Sequence, residues 1–257
     1  MLTNNTLVVL FMVLYSAVMV IDSSSLSYVR RITPVPKCGE LGNATHSTRL
    51  TMKQFLNPSE IDFLLDLVYR GMSSIPENHG PTIMDPDLGL VLGPGGNVKR
   101  ITERFSQAEL VKYGELMKRL QRFIMKTHSL TFLHHTAPTF FARLLAPSQA
   151  KSTHIHDEYW HEHCDKNNTA HYDYSALVYL STYEKDFTGG QFVFSDHKSN
   201  PLLPEAGMLV TFASGVENPH RVHKVKSGKR IAWSTWWTCD PSHKLKNSQL
   251  LGLHDEL

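Results

Sequence analysis

The chain has 257 residues, which at about 150 residues per domain corresponds to one or two domains. A hydrophobic share of 41% and a charged share of 19% exclude a disordered polymer. Lys and Arg total 26 against 24 Asp and Glu, and this net charge of +2 gives no basic footprint, so we expect no nucleic-acid partner. Three cysteines exclude a disulfide scaffold, while 15 histidines are an unusual supply of potential metal ligands.

The N-terminal segment contains an uncharged, mostly apolar run from Leu7 to Ile21. This run is shorter than the ~18 residues of a membrane span and matches the core of a secretory signal, which is about 7–15 residues. Small residues follow at positions 23–25, as at a cleavage site, but no Lys or Arg precedes the run. Residues 1–23 are therefore either a cleaved signal peptide or an uncleaved signal anchor.

The C-terminal tail ends in HDEL at residues 254–257. This sequence at a C-terminus is an address that a receptor reads for retention in the endoplasmic reticulum. It predicts the HDEL receptor as a partner and the ER lumen as the location, with the protein soluble after signal cleavage or anchored by one N-terminal span. N-glycosylation sequons at Asn43 (NAT) and Asn167 (NNT) agree with that location.

The first half of the chain has helical features. Residues 24–49 are rich in Ser, Thr and Pro and are interpreted as a linker, and residues 50–138 as a helical flank. Helices are expected to begin after the N-caps Asn57 and Ser106, each of which has a Glu three residues later in a capping box. Between them, residues 71–100 are rich in Gly and Pro without a hydrophobic period, which predicts a long loop.

From residue 139 the pattern changes to short β runs. The predicted strands are TFFARLLA (139–146), YSALVYLS (174–181), QFVFS (191–195), MLVTFA (208–213), HRVHKV (220–225) and RIAWSTWW (230–237). Strands of this length and spacing are typical of a sandwich or barrel. The sequence therefore predicts a mainly β protein with flanking helices, a β core over residues 139–243 and a tail over residues 244–257.

Candidate metal ligands concentrate just before the second predicted strand. His163 and Asp165 form an H-x-D pair, and on a strand residues i and i+2 face the same way. With a histidine from another strand, such a pair would complete a facial triad, which binds Fe(II) and leaves positions open for co-substrate and O₂. Residues 171–173 (HYD) and 156–158 (HDE) are alternative pairs.

The segment from His220 to Arg230 has the pattern H-x-V-x-x-V-x-x-G-x-R. A turn at residues 227–228 would bring Arg230 back beside His220. A metal ligand next to an arginine is suited to binding a bidentate acid, one end of which chelates the metal while its distal carboxylate is held by the guanidinium.

Residues 163–237 resemble the Fe(II)/2-oxoglutarate dioxygenases, specifically the prolyl- and lysyl-hydroxylase branch. The resemblance rests on HCD, ALVYLS, GGQFVFS, PEAGMLVTF and the H-to-R element, in this order. It implies a double-stranded β-helix (jelly-roll) core. The iron ligands that it implies are His163, Asp165 and His220. It places Arg230 against the distal carboxylate of 2-oxoglutarate, with the Tyr179 hydroxyl as a second partner. Many collagen-type prolyl hydroxylases have Lys in place of Arg230.

The resemblance implies an enzyme, a 2-oxoglutarate-dependent dioxygenase. It would couple the conversion of 2-oxoglutarate and O₂ to succinate and CO₂ with hydroxylation of a C–H bond, with ascorbate as the reductant. A peptidyl substrate in the ER lumen is expected, with Pro or Lys as the first candidates. Two other classes stay open, namely a catalytically silent β-helix that serves as a binding module in the ER, and a zinc-binding structural domain.

The cysteines and tryptophans carry further expectations. Cys38 and Cys239 could form a disulfide in the oxidising ER. Cys164 alternates away from the ligand face and is expected to be a buried thiol. The tryptophans near the C-terminal end of the β core are expected to be core residues rather than a substrate platform; they are Trp233, Trp236 and Trp237.

Overall fold

The computed structural model describes residues 49–77, 80–146, 159–195 and 200–245. The apolar N-terminal run, Asn43, Cys38, the pair at 156–158 and the HDEL tail lie outside the described residues, so the expectations for them stay predictions. Within the described ranges, none of the helices combines the length and apolar character that a membrane span requires.

The described residues form twelve strands and three α-helices. The helices are α1 (Pro58–Met72), α2 (Gln107–Thr127) and α3 (Asp165–Asn168). The strands are β1 (Arg49–Met52), β2 (Pro81–Asp85), β3 (Leu90–Leu92), β4 (Val98–Arg100), β5 (His134–Leu144), β6 (Tyr174–Tyr179), β7 (Phe187–Gly189), β8 (Phe192–Phe194), β9 (Leu209–Ala213), β10 (His220–Val222), β11 (Val225–Gly228) and β12 (Arg230–Thr238).

Both long helices begin where the sequence predicts, each with a capping box. At α1 the Asn57 side chain accepts from the Glu60 backbone N–H at 3.0 Å, and the Glu60 carboxylate accepts from the Asn57 N–H at 3.0 Å. Ser106 and Glu109 repeat the arrangement at α2. Each box satisfies two N–H groups that a helix start would otherwise leave without partners.

Removing the α1 cap should destabilise the protein. We expect Asn57→Ala to lower the free energy of unfolding by about 1 kcal/mol, because the side-chain acceptor at the helix start is lost. Asn57→Asp should keep most of the stability of the wild type, since an Asp side chain can also accept the hydrogen bond at the helix start. Urea denaturation measures the difference, with Glu115→Ala on the exposed surface of α2 as control. An unchanged stability in Asn57→Ala would show that the cap contributes nothing.

The strands form two layers. The larger layer is an eight-stranded sheet in the order β1-β9-β6-β12-β5-β2-β3-β4, and the smaller layer consists of the pairs β10-β8 and β11-β7. Side chains from both layers meet in one apolar cluster, whose buried members are Tyr179, Phe192, Phe194, Met208, Val210, Phe212 and Ala232. The other face of the larger sheet packs against α1 and α2 through residues such as Leu64, Leu120 and Trp233. This two-layered β core with flanking helices confirms the predicted fold class.

The prediction of a long loop over residues 71–100 is wrong. Strands β2, β3 and β4 lie in this segment and extend the larger sheet beyond β5. All five residues of β2 and all three of β3 are buried, so the polar–apolar alternation that marks a half-exposed strand is missing from their sequence. Pro81 stands at the first position of β2, where a strand tolerates proline.

The prediction of one strand over 220–225, folded back onto Arg230, is also wrong. β10 pairs with β8 and β11 pairs with β7, whereas β12 lies in the larger sheet between β5 and β6. The chain changes layers at Gly228, whose φ is +76° and where an added Cβ would lie 2.1 Å from the Asp186 carbonyl oxygen. His220 and Arg230 therefore belong to opposite layers of the core.

Candidate functional site

His163 and His220 are brought together by an antiparallel β-bridge. The backbone N–H of each residue donates to the carbonyl oxygen of the other, at 3.0 and 2.9 Å. A pair bonded in this way directs both side chains to the same face, and the two imidazole centroids are 4.5 Å apart. Two elements that are far apart in the sequence thus deliver two imidazoles to one point.

Asp165 reaches the same point by a different route from the one the sequence suggested. It does not alternate with His163 along a strand, because the chain turns into α3 directly after the extended residue Cys164. The turn is fixed by the Lys166 N–H, which donates to the Ser214 carbonyl oxygen at 2.9 Å. The residue assignment of the H-x-D pair is unchanged, but its expected strand geometry is wrong.

The three side chains converge. Asp165 Oδ1 lies 3.4 Å from His163 Nε2 and 3.8 Å from His220 Nε2. One potential ligand atom from each residue lies within 4.8 Å of the others, and this is the single group of its kind among the residues that the structure describes. Asp165 and His220 are buried, whereas the His163 side chain is 35% exposed, so the site opens on the His163 side.

Backbone carbonyls orient both imidazoles. His163 Nδ1 lies 3.0 Å from the His161 carbonyl oxygen, and His220 Nδ1 lies 3.0 Å from the Asn218 carbonyl oxygen. A carbonyl oxygen only accepts, so each Nδ1 carries a proton, and in the neutral form of each ring the lone pair is on Nε2. This is the arrangement in which histidines bind metals, with the second nitrogen held by a fixed partner.

A network around Asn218 supports the His220 side. The Asn218 amide donates to the Ala213 carbonyl oxygen at 2.7 Å, and its Oδ1 accepts from Arg49 Nε at 2.5 Å. The Arg49 guanidinium also stacks on the Phe194 ring at 4.0 Å. The first strand of the described chain thereby holds the turn that orients His220, which the sequence did not indicate.

The charges favour a bound cation. Burial acts to raise the pKa of Asp165, but His220 and His163 beside it lower that pKa to about 2, so the carboxylate is ionised. Burial lowers the pKa of His220, whereas for His163 burial acts in the same direction but the hydrogen bond with Asp165 raises the pKa overall. Two imidazole nitrogens and one carboxylate oxygen directed at one point are the donor set that suits Fe(II).

The alternative pair at residues 171–173 does not form a comparable site. Asp173 accepts from Lys166 Nζ at 2.5 Å through one oxygen and from the Cys239 N–H at 2.7 Å through the other. The His171 ring instead stacks on His243, with centroids 4.2 Å apart. Both side chains thus serve local structure.

Arg230 and Tyr179 meet inside the core. The guanidinium carbon of Arg230 lies 5.1 Å from the Tyr179 ring centroid, and the two residues are 2% and 0% exposed. Neither Arg230 Nη2 nor Tyr179 Oη has a hydrogen-bond partner among the described residues, although both atoms are buried. A buried donor without an acceptor destabilises the folded state, because it has lost its hydrogen bonds to water. A carboxylate would satisfy both, so the residues fit the distal end of 2-oxoglutarate.

Gly190 shapes the surroundings of Arg230. Its carbonyl oxygen accepts from Arg230 Nε at 2.8 Å, which leaves the Nη2 edge of the guanidinium free. Gly190 has a φ of +66°, and an added Cβ would lie 2.9 Å from Arg230 Cδ. The absence of a side chain at Gly190 therefore provides space that the arginine needs.

Cys164 and two of the tryptophans agree with expectation. Cys164 is a buried free thiol, and Trp233 and Trp237 are buried in the core. Trp236 differs, because it lies opposite Ser175 on the inner face of the larger sheet and is only partly buried. Its indole N–H has no partner among the described residues.

Ser175 is a site residue that was not predicted from the sequence. Its hydroxyl donates to Asp165 Oδ2 at 2.6 Å. A signal for it was present, because Ser175 and Tyr179 are four residues apart on one strand and therefore share its inner face.

Comparison with known proteins identifies the family. The model of the 2OG-Fe(II) oxygenase superfamily matches residues 149–238. The 2-oxoglutarate and iron-dependent oxygenase domain-containing protein 3 of Xenopus tropicalis is 35% identical over 237 residues, covering 87% of this chain and 70% of that protein. The chain belongs to the 2OG-Fe(II) oxygenase superfamily. It is a 2-oxoglutarate-dependent dioxygenase, with Fe(II) as cofactor and 2-oxoglutarate and O₂ as co-substrates.

Other comparisons agree on the family and the fold. Human prolyl 3-hydroxylase 2 is 41% identical to the oxygenase over 76 residues, which cover 28% of this chain and 10% of that protein. A crystal structure of an oxidoreductase of the 2OG-Fe(II) oxygenase family from Burkholderia pseudomallei has a TM-score of 0.52 at 16% identity, covering 75% of this chain and 85% of that one. This likeness shows the double-stranded β-helix fold. The oxygenase spans about half the length of the mouse and human proteins that share the name of the Xenopus relative, 48% and 46%.

Proposed function

We propose that this oxygenase hydroxylates a peptidyl substrate, with Pro and Lys as the first candidates. In this proposal Fe(II) is held by His163, Asp165 and His220, and 2-oxoglutarate by Arg230 and Tyr179. The observation that carries it is the presence, within one β core, of three converging ligand atoms and two buried donors without partners.

Each side chain has a separate task. The imidazoles and the carboxylate hold the metal, and the arginine fork and the tyrosine hydroxyl hold the far end of the co-substrate. Burial raises the pKa of Tyr179, so its hydroxyl stays protonated and donates. When bound, Fe(II) activates O₂ for the oxidative decarboxylation of 2-oxoglutarate to succinate and CO₂. Phe192 and Phe212, whose ring centroids each lie 5.0 Å from that of His220, exclude water from one side of the site.

Two features bear on the substrate. The similarity to prolyl 3-hydroxylase 2, which is named for proline hydroxylation, supports a prolyl substrate. Arg230 in place of the lysine of many collagen-type prolyl hydroxylases supports a lysyl one. Peptides that contain Pro and peptides that contain Lys are therefore both included in the first test.

The test is a search for hydroxylated peptides. Purified oxygenase is incubated with Fe(II), O₂ and peptides of ER proteins, with and without 2-oxoglutarate and with and without ascorbate, and products that gain one oxygen atom are sequenced by mass spectrometry. We expect such products at Pro or Lys, together with succinate, and a higher yield with ascorbate. Metal binding without any 2-oxoglutarate conversion would support the silent binding module, and products at other residues would overturn the substrate proposal.

We further propose that the oxygenase works in the ER lumen. The HDEL end, the apolar run near the N-terminus and the sequons support this, and Asn167 is exposed on α3, where a glycan can attach.

Deleting residues 254–257 tests this location. The truncated protein should appear in the culture medium if the N-terminal signal is cleaved, because the retention receptor no longer binds it. Immunoblots of medium and cells measure the change, and treatment with a glycosidase reports entry into the ER. Resistance to carbonate extraction would support the anchor instead, whereas a cytosolic, unglycosylated protein would contradict both.

A further inference from the structure

The two oxygens of Asp165 have different surroundings. Oδ1 faces the imidazoles of His163 and His220 at 3.4 and 3.8 Å. Oδ2 points the other way and accepts from the Ser175 hydroxyl at 2.6 Å. The hydrogen bond therefore fixes the rotation of the carboxylate plane about the Cβ–Cγ bond, with one oxygen directed at the imidazoles.

The Ser175 hydroxyl has a second partner. Its oxygen lies 2.7 Å from the Ser214 hydroxyl oxygen, and both serines are 1% exposed. A serine hydroxyl has one proton, and Ser175 donates it to Asp165 Oδ2. The Ser214 proton must then be given to Ser175. The result is a directed chain from Ser214 through Ser175 to Asp165, in which each hydrogen bond polarises the next.

The backbone fixes both serines. Ser175 lies on β6 between Phe212 of β9 and Trp236 of β12, in the interior of the larger sheet. Ser214 directly follows β9, and its N–H donates to the Asp173 carbonyl oxygen at 2.9 Å. Its own carbonyl oxygen accepts from the Lys166 N–H, which holds the start of α3 next to Asp165. The chain of hydroxyls is thus anchored to the sheet at two points.

We propose that Ser175 and Ser214 are positioning residues that make Asp165 a one-oxygen metal ligand. The inference rests on the proposed function, because it takes Asp165 as a ligand of the metal. With Oδ2 engaged by Ser175, only Oδ1 is free. A second carboxylate oxygen on the metal would occupy one of the positions that a facial triad leaves open for 2-oxoglutarate and O₂.

Removing the hydroxyls should therefore affect both metal and co-substrate. The probe is Mn(II), titrated into the full chain without turnover, followed by 2-oxoglutarate at saturating Mn(II). We expect Ser175→Ala to weaken Mn(II) binding by about 10- to 100-fold, the usual effect of removing a partner of a metal ligand. It should also weaken 2-oxoglutarate binding, because the released Oδ2 can turn to the metal. Ser175→Thr should restore both affinities, and Ser214→Ala should have a smaller effect in the same direction.

Thr235→Val is the matched control. Thr235 lies one register position from Ser175 on the neighbouring strand and faces the opposite side of the sheet. Its hydroxyl accepts from Trp237 Nε1 at 2.9 Å and donates to the Ala176 carbonyl oxygen, so its loss should lower the melting temperature without changing Mn(II) affinity. If Thr235→Val weakened Mn(II) binding as much as Ser175→Ala, the effect would be explained by a general loss of stability, and the inference would be overturned.

The outcomes separate this inference from the proposed function. Wild-type Mn(II) and 2-oxoglutarate affinities in Ser175→Ala would refute the positioning role alone. If Asp165→Ala bound Mn(II) like the wild type, the metal site itself would fail. If Ser175→Ala does not fold, the same titrations are made with Ser214→Ala. Wild-type affinities of Ser214→Ala for Mn(II) and 2-oxoglutarate would then refute the inference. A crystal structure of the wild type with Mn(II) should show Oδ1 on the metal and Oδ2 on Ser175; both oxygens on the metal would also overturn it.

Discussion

Replacing Asp165 with alanine should abolish 2-oxoglutarate turnover and metal binding while the protein stays folded. Asp165 supplies the single anionic donor of the group, and without it two neutral imidazoles remain, one of them on the exposed side of the site. The fold should survive because the Ser175 hydroxyl keeps its bond to Ser214. His163→Ala should have the same effect, since it removes the ligand on the open side.

Three measurements on the same preparations check this result: iron content, succinate formation and thermal melting. Glu162→Gln is the matched control, because Glu162 directly precedes His163 but forms an exposed ion pair with Arg221 at 3.3 Å. Exposed ion pairs contribute little, so this variant should keep metal and turnover. Full activity in Asp165→Ala or His163→Ala would refute the ligand assignment.

Replacing Arg230 with alanine should weaken 2-oxoglutarate binding by roughly 10- to 150-fold and leave metal affinity nearly unchanged. A hydrogen bond to a charged group contributes about 1.5–3 kcal/mol, and about 1.4 kcal/mol corresponds to a factor of ten in affinity. Arg230→Lys should recover only part of the loss, because an ammonium is a point charge and lacks the planar fork that matches a carboxylate. Tyr179 stays in place in both variants and supplies the remaining contact.

The measurement is a titration of 2-oxoglutarate into metal-loaded wild type and variants, with metal affinity determined in parallel. Lys229→Ala serves as control, since Lys229 is adjacent in sequence but forms a surface ion pair with Glu77 at 2.5 Å. Unchanged 2-oxoglutarate affinity in Arg230→Ala would refute the assignment of Arg230 as the anchor of the co-substrate. A parallel loss of metal affinity would instead show that the two sites are not separate.

The candidate site residues could be named from the sequence because they depend on residue type and local order. The H-x-D pair and the H-to-R element name His163, Asp165, His220 and Arg230 without knowledge of the fold. Tyr179 follows from the resemblance, and its strand is recognisable from the sequence. The capping boxes at the two long helices are equally local, since a cap and its Glu are three residues apart. Such predictions are possible where the deciding interaction lies within a few residues of sequence or within a specific motif.

The prediction of local geometry failed where burial removed the pattern. In β2 every residue is buried, so the alternation that distinguishes a strand from a loop is absent from the sequence. From the sequence, the two side chains of the H-x-D pair were expected to face the same way because residues alternate along a strand. In the structure they converge because the chain turns into α3 at Asp165. Hydrophobic periodicity arises from the difference between an exposed and a buried face, so a strand that is buried on both faces has no periodic pattern in its sequence.

The amino-acid sequence by itself determined the family and named the candidate iron ligands and the candidate arginine for the co-substrate, because these are properties of the residues and their spacing. Only the tertiary structure decided how they meet. Long-range pairings place His220 beside His163, put Arg230 in the layer opposite His220, and set the Ser175 and Ser214 hydroxyls in line with one oxygen of Asp165. Sheet register controls each of these contacts, and register depends on which strands pair across the whole core, which local periodicity does not record.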